Sequence, residues 1–204
     1  MRAFRRLIIL AAAVTALAAC GPKSGGSSAG GGAGGHTLGK PDAPVKVIEY
    51  ASMSCPHCMD FNNKEFPAFK AKYIDTGKVQ YELREMLTPP ETLAAAGFRM
   101  AECSGDAKYF ETIDAFFKAL PQIAQNNQAG MLAVAREVGM SQADLDRCLA
   151  DEPAMTALGD RVEQNSTKAS GTPTFYINGV ETPRGTPHTT EALGKLIDAA
   201  LAAK

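Results

Sequence analysis

Hydrophobic and polar positions change period several times along the chain, and each change marks an element. Val45 to Tyr50 (VKVIEY) is rich in β-branched residues and is followed by Ala-Ser-Met-Ser, which predicts a strand. By the two-residue period Val45, Val47 and Glu49 share a face, so a glutamate stands on a valine face. From Pro56 the pattern turns helical. Met59, Phe66, Phe69 and Tyr73 form an apolar stripe, Pro67 should kink the helix, and Gly77 ends it. Val79 to Leu83 alternates and predicts a second strand. Strand, helix and strand in that order imply a right-handed βαβ unit.

From Glu91 to about Ser170 the strand pattern stops. Leu93, Ala96, Met100 and Cys103 fall on one helical face; so do Met131, Val134, Ala135 and Val138, and so do Leu145, Cys148 and Leu149. Gly105, Pro121, Gly139 and Pro153 punctuate the stretch, which predicts four or five helices packed as a subdomain. Thr174 to Ile177 then resumes a strand, Asn178-Gly179 is a hairpin turn, and Val180 to Thr182 is the return strand. Thr190 is expected to cap a last helix with Leu193, Leu196, Ile197, Ala200 and Leu201 facing the core. No internal repeat occurs. The order resembles a thioredoxin-like fold of the α/β class with an inserted all-helical subdomain. Its thioredoxin parts would span about 37–90 and 171–204, and the insertion about 91–170.

Residues before this domain have a different character. Arg2, Arg5 and Arg6 precede an apolar run, Leu7 to Ala19, that is about half the length of a membrane-spanning helix. This predicts a signal peptide over residues 1–20 rather than a permanent anchor helix. The run ends Leu17-Ala18-Ala19-Cys20, which resembles a bacterial lipobox with Cys20 as the lipidated residue. The alternative is an ordinary signal peptide cut near Ala19. Residues 21–36 are mostly Gly, Ser and Ala and should form a flexible tether reaching roughly 20 Å. Such a tether fits a domain held just off a membrane through Cys20.

Charge adds an exclusion. With 21 basic against 22 acidic residues and no basic block, nucleic acid is not expected as a partner. Cysteine usage adds more. Of five cysteines, setting Cys20 aside for lipid leaves Cys55, Cys58, Cys103 and Cys148. Export would place them where disulfides persist, and the even count suggests two pairs, Cys55 with Cys58 and Cys103 with Cys148. Cys103 and Cys148 would also be at home as small buried thiols on their helix faces. As a structural bridge they would constrain the unfolded chain by roughly 4 kcal/mol.

The run Ser54-Cys55-Pro56-His57-Cys58 carries the chemistry. Cys55 would sit where a strand passes into a helix, and there unpaired N–H groups and the helix dipole stabilise a thiolate. Pro56 suits the first helical turn, where its missing N–H costs nothing. His57, protonated or hydrogen-bonding towards the sulfur, would add to the stabilisation. Cys58, one turn inward and more buried, would keep a higher pKa and act as the resolving thiol. A stabilised thiolate makes the disulfide a stronger oxidant. Zinc does not fit: His57 lies between the two cysteines, there is no second C-x-x-C, and His36 and His188 fall in expected loops. A purely structural staple across so short a loop would constrain little.

Glu49 to Cys58 (EYASMSCPHC) resembles the active-site segment of the DsbA-type thiol:disulfide oxidoreductases, and Gly171 to Gly179 (GTPTFYING) resembles their cis-proline segment. The likeness extends over Leu38 to Lys204, helical insertion included. It implies that Pro173 is a cis-proline packed against Cys55, offering backbone to which substrate can pair. It places Thr172 against the active-site sulfur. There DsbA proper often has valine, and threonine also occurs in related isomerases and reductases. It makes Glu49 a buried carboxylate of raised pKa that passes protons to or from Cys58. A second disulfide in the insertion agrees with some relatives. No bound cofactor is implied. The expected activity is oxidation of reduced, unfolded exported proteins, with reoxidation by a DsbB-like quinone-coupled membrane partner. The alternatives are an isomerase or reductase kept reduced by a DsbD-like protein, and a lipoprotein that only binds or holds unfolded chains. The expected location is the periplasm-facing bacterial envelope, through lipid on Cys20. Gly21 after that cysteine slightly favours the outer membrane.

Overall fold

The computed structural model describes residues 35–203. Cys20, the signal peptide and nearly all of the tether lie outside the described residues. Five strands form one mixed sheet: β1 (His36–Leu38), β2 (Val45–Ala51), β3 (Val79–Glu85), β4 (Thr174–Ile177) and β5 (Val180–Glu181), in the order β1-β3-β2-β4-β5. β2 runs parallel to β3, and the other pairs are antiparallel. The short β1 corrects the expectation of a loop at His36. Three residues (HTL) carry too little pattern to show as a strand, and β3 supplies the pairing. Gly35 already donates its N–H to Glu82.

The segment after β2 is one helical run with two wide turns: α1 (Pro56–Asp60), a π turn (Phe61–Glu65), α2 (Phe66–Phe69) and a second π turn (Lys70–Ile74). Pro67 has no N–H to give and its ring crowds the preceding turn. The first π turn directly precedes α2 and takes up that conflict, where a kink was expected. The insertion holds five α-helices among the described residues: α3 (Glu91–Cys103), α4 (Tyr109–Gln125), α5 (Asn127–Glu137), α6 (Gln142–Leu149) and α7 (Glu152–Ser166). Pro121 does not break the run as expected but lies inside α4. The Phe117 carbonyl, four residues earlier and unable to receive an N–H from Pro121, accepts from the Asn63 side-chain amide at 3.3 Å. Pro153 stands in the first turn of α7, where a proline is tolerated. The final helix, α8 (Thr190–Ala202), is capped by Thr189 rather than Thr190, while the Thr190 hydroxyl donates to the Glu65 carbonyl.

One core runs through the sheet, the helical run after β2 and the insertion. Val45, Val47, Phe61, Phe69, Phe98, Phe116, Phe175 and Ile197 belong to it. The fold is thus thioredoxin-like, with α3 to α7 inserted between β3 and β4. Among the described residues no helix is long and apolar enough to cross a membrane.

Candidate active site

Cys55 is the N-cap of α1, with extended backbone (φ −83°, ψ 120°), and Pro56 opens the helix. The strand-to-helix turn is fixed by Cys55 N–H donating to the Ser52 carbonyl at 3.0 Å. Cys55 is the more accessible sulfur, though only 6% exposed, and Cys58 is fully buried. The pair is in the dithiol form.

The two thiols are driven apart electrostatically. Cys55 is lowered to about 5. The largest cause is the Cys58 thiol donating to it; the Thr172 hydroxyl and the backbone N–H groups of Cys58 and His57 add to this against the cost of burial. Cys58 moves well upward through burial, through donating to Cys55, and through the charges of Glu49 and Cys55. His57 contributes here through its main chain, and its side chain is exposed. Both facts follow from the N-cap position, which aims the first helical N–H groups at the sulfur.

From across the site, the segment leading into β4 brings Thr172 and Pro173. The Thr172–Pro173 peptide is cis and Pro173 is buried. The Cys55 thiol donates to the Thr172 carbonyl at 3.4 Å. The Thr172 hydroxyl is buried without a hydrogen-bond partner, and it is among the groups that lower Cys55. Below the pair, Glu49 is 3% exposed and accepts a hydrogen bond from the Tyr81 hydroxyl. Its carboxyl is pushed up to about 8, chiefly by burial, with the Tyr81 bond opposing and the Cys55 charge assisting.

Two further features were not visible in the sequence. Ser52, Ser54 and Thr88 form a hydroxyl cluster: Ser54 donates to the Thr88 carbonyl at 2.7 Å, and the Thr88 N–H donates to the Ser52 hydroxyl at 3.1 Å. The cluster ties the active-site turn to the loop before α3. His188, ahead of α8, lies beside Phe175 with ring centroids 5.5 Å apart and feels the charges of His57 and Cys55. Ser52 and Thr88 are joined over 36 residues of sequence and no local pattern announces the contact.

Cys103 and Cys148 are bonded to each other, with Cα atoms 6.1 Å apart, and link α3 to α6. Among the described residues one group could supply three metal ligands, His36, Glu85 and Glu102. Its carboxylates are already paired with Arg161, and Glu102 also with Arg99. His36 stacks on Tyr109 at 3.5 Å.

A thioredoxin-type fold with a low-pKa cysteine capping a helix, a buried partner three residues on and a cis-proline opposite defines a protein of thiol–disulfide exchange. Comparison with known proteins agrees. A family profile described as Thioredoxin matches residues 32–199. A Rickettsia bellii chain carrying the provisional name protein-disulfide oxidoreductase is 32% identical over 150 residues, 71% of this chain and 57% of that one. A Bacillus cereus chain provisionally named disulfide bond formation protein D is 28% identical over 159 residues, 70% of this chain and 69% of that one. The crystal structure of Wolbachia pipientis alpha-DsbA1 superposes with a TM-score of 0.73 at 26% identity, covering 82% of this chain and 90% of that one. The chain belongs to the thioredoxin family and, within it, to the DsbA-type thiol:disulfide oxidoreductases. It spans little more than half the length of the Rickettsia relative.

Proposed function

We propose that this chain introduces disulfides into exported proteins by exchange at Cys55 and Cys58. The observation that carries the reading is the split between the two thiols, Cys55 lowered to about 5 and Cys58 raised. Stabilising one thiolate stabilises the dithiol form, so the disulfide is a strong oxidant. A substrate thiolate bonds to Cys55 Sγ, the Cys55–Cys58 bond breaks, and Cys58 leaves with the electron pair. Glu49 supplies the proton that Cys58 takes up. The substrate's second thiolate then attacks its own sulfur in the mixed disulfide and expels Cys55, a good leaving group because its thiolate is stable. Substrate backbone pairs beside Pro173, and a DsbB-like quinone-coupled membrane protein takes the two electrons.

Thr172 supports the same direction. The Thr172 hydroxyl is among the groups that lower the Cys55 pKa, whereas a valine there would supply no donor. The isomerase or reductase reading therefore gains no physical support from this residue. In this proposal Cys20 carries lipid and holds the domain at the periplasmic face of the envelope. Replacing Cys20 by Ala should release the protein from membranes. The Cys58→Ala variant should trap clients as mixed disulfides on Cys55. The deciding measurement is the equilibrium potential of the Cys55–Cys58 pair against glutathione. It should lie well above the about −270 mV of a reducing thioredoxin, and a value near that one would turn the reading to the reductase.

A further inference from the structure

The bridge between Cys103 and Cys148 has surroundings that a simple staple does not need. Its two ends differ. Cys103, the last residue of α3, is exposed, whereas Cys148 in α6 is 5% exposed. Both cysteines line a cavity of about 440 Å³. Around them the cavity carries Lys108 and Arg147 as cations and Asp144 and Asp151 as anions. Lys108 also donates to the Val138 carbonyl at 2.7 Å, and Arg147 pairs with Asp144, so these charges are held in place.

Each sulfur also has a partner suited to its reduced form, although the Arg99 guanidinium pairs with Glu102 and Asp151 as well. The Arg99 guanidinium lies 3.5 Å from Cys103 Sγ and would stabilise a thiolate there. The Arg99 carbonyl lies 3.1 Å from Cys148 Sγ and can accept only from a protonated thiol. An exposed cysteine beside a cation and a buried cysteine beside an acceptor repeat the division of labour between Cys55 and Cys58.

We propose that Cys103–Cys148 is a second exchange site, and that its cavity takes a small zwitterionic thiol of the cysteine or short cysteine-peptide class. Two cations and two anions around the sulfur match a ligand that carries both an ammonium and carboxylates. The ligand thiolate bonds to Cys103 Sγ, the Cys103–Cys148 bond breaks, and the electron pair leaves on Cys148. Cys148 takes up and keeps the proton released by the ligand thiol, and the resulting thiol donates a hydrogen bond to the Arg99 carbonyl. Return attack by Cys148 restores the bridge and frees the ligand. Attack by a second ligand thiol on the ligand sulfur instead gives oxidised ligand dimer and the Cys103/Cys148 dithiol, with Cys103 as thiolate beside Arg99. No further oxidant or reductant is involved, and the scheme does not depend on the role of the Cys55 pair.

The test uses the full chain with Cys55→Ala and Cys58→Ala, oxidised, incubated with reduced glutathione, quenched in acid and mapped by peptide mass. Glutathione should appear on Cys103 with Cys148 free, while circular dichroism remains that of the folded protein. The rate, corrected for thiolate fraction, should exceed that of uncharged 2-mercaptoethanol about five-fold, and Arg147→Ala should reduce the difference. An adduct on Cys148, equal corrected rates for the two thiols, or reaction only under unfolding conditions would each overturn the proposal. If the double substitution does not fold, the unsubstituted protein gives the same readout, because Cys55 and Cys103 fall on separate tryptic peptides.

Discussion

At Cys55 a single thiolate is favoured by two side chains, Cys58 and Thr172, and by two main-chain N–H groups, and the side chains can be removed one at a time. Thiolate absorbance near 240 nm should titrate with a midpoint at about 5 in the unsubstituted protein. Thr172→Val deletes one hydroxyl and should move the midpoint upward by about one to two units, which is the worth of a single hydrogen bond to a charge. An unchanged midpoint would mean that the hydroxyl does not act on the sulfur. Glu49 gives a prediction of opposite sign. Burial raises it from 4.5 to about 8, so the folded state keeps a proton that the unfolded chain loses. Its contribution to stability is complete below the unfolded value, declines as pH rises, and is lost above about 8. Glu49→Gln cannot ionise. In urea melts of the reduced proteins the variant should gain on the unsubstituted chain from pH 5 to pH 8, by about 1–3 kcal/mol at the upper end. Turnover should move the other way, slowing by about ten-fold or more, because a proton relay to Cys58 is gone. A variant that is stabilised and equally fast would leave Glu49 without its catalytic part.

At the scale of elements, Pro121 shows how one helix is fastened to another. A proline inside α4 leaves the Phe117 carbonyl without its helical N–H, and Asn63, in the π turn behind the active-site helix, donates to it. Asn63→Ala should therefore cost about 1 kcal/mol in the unsubstituted chain. In a Pro121→Ala background the new N–H serves the carbonyl, and the same substitution should cost less. The cycle should close with a coupling of about 0.5–1 kcal/mol in denaturant melts, and additive effects would exclude the link. The same elements show what could be read from the sequence. β2, β3, β4 and the hairpin at Asn178-Gly179 were legible because their periods and turn residues are local properties, and so was the position of Cys55 at a helix start. β1 was hidden because three residues acquire strand character only by pairing with β3. The first π turn was hidden because it expresses a compromise around Pro67. Pro121 misled because the conflict it creates is resolved by a residue far away in sequence. Thr88 and His188 failed to show for a related reason: each reaches the site through tertiary contact, with no motif of its own.

Across the whole molecule, the helical insertion and the thioredoxin sheet are joined by a buried charge network. Glu85 ends β3 at 1% exposure, and Arg161 on α7 reaches it at 3.3 Å while also contacting Glu102 on α3. Asn165, one turn further along α7, donates to the Glu85 carbonyl at 2.9 Å. Burial is the largest influence on the Glu85 carboxyl and raises its pKa, whereas Arg161 is the main group drawing it back down. Removing Arg161 leaves a buried carboxylate without its cation, a change that costs about 3–5 kcal/mol where the partner must stay charged. Glu85 can escape by keeping its proton, and this sets the pH dependence. A carboxyl whose folded pKa is raised contributes stability at low pH that is lost as pH climbs. Arg161→Met raises that pKa further, so the loss becomes steeper and extends to higher pH. The variant should lie close to the unsubstituted protein near pH 5 and fall behind progressively towards pH 8 in urea melts. Adding Glu85→Gln to Arg161→Met should flatten the difference, because the neutral amide needs no cation. If Arg161→Met were equally destabilising at both pH values, Arg161 would act through packing of its stem across the joint between sheet and insertion, and the charge pairing would be incidental to holding the two parts together.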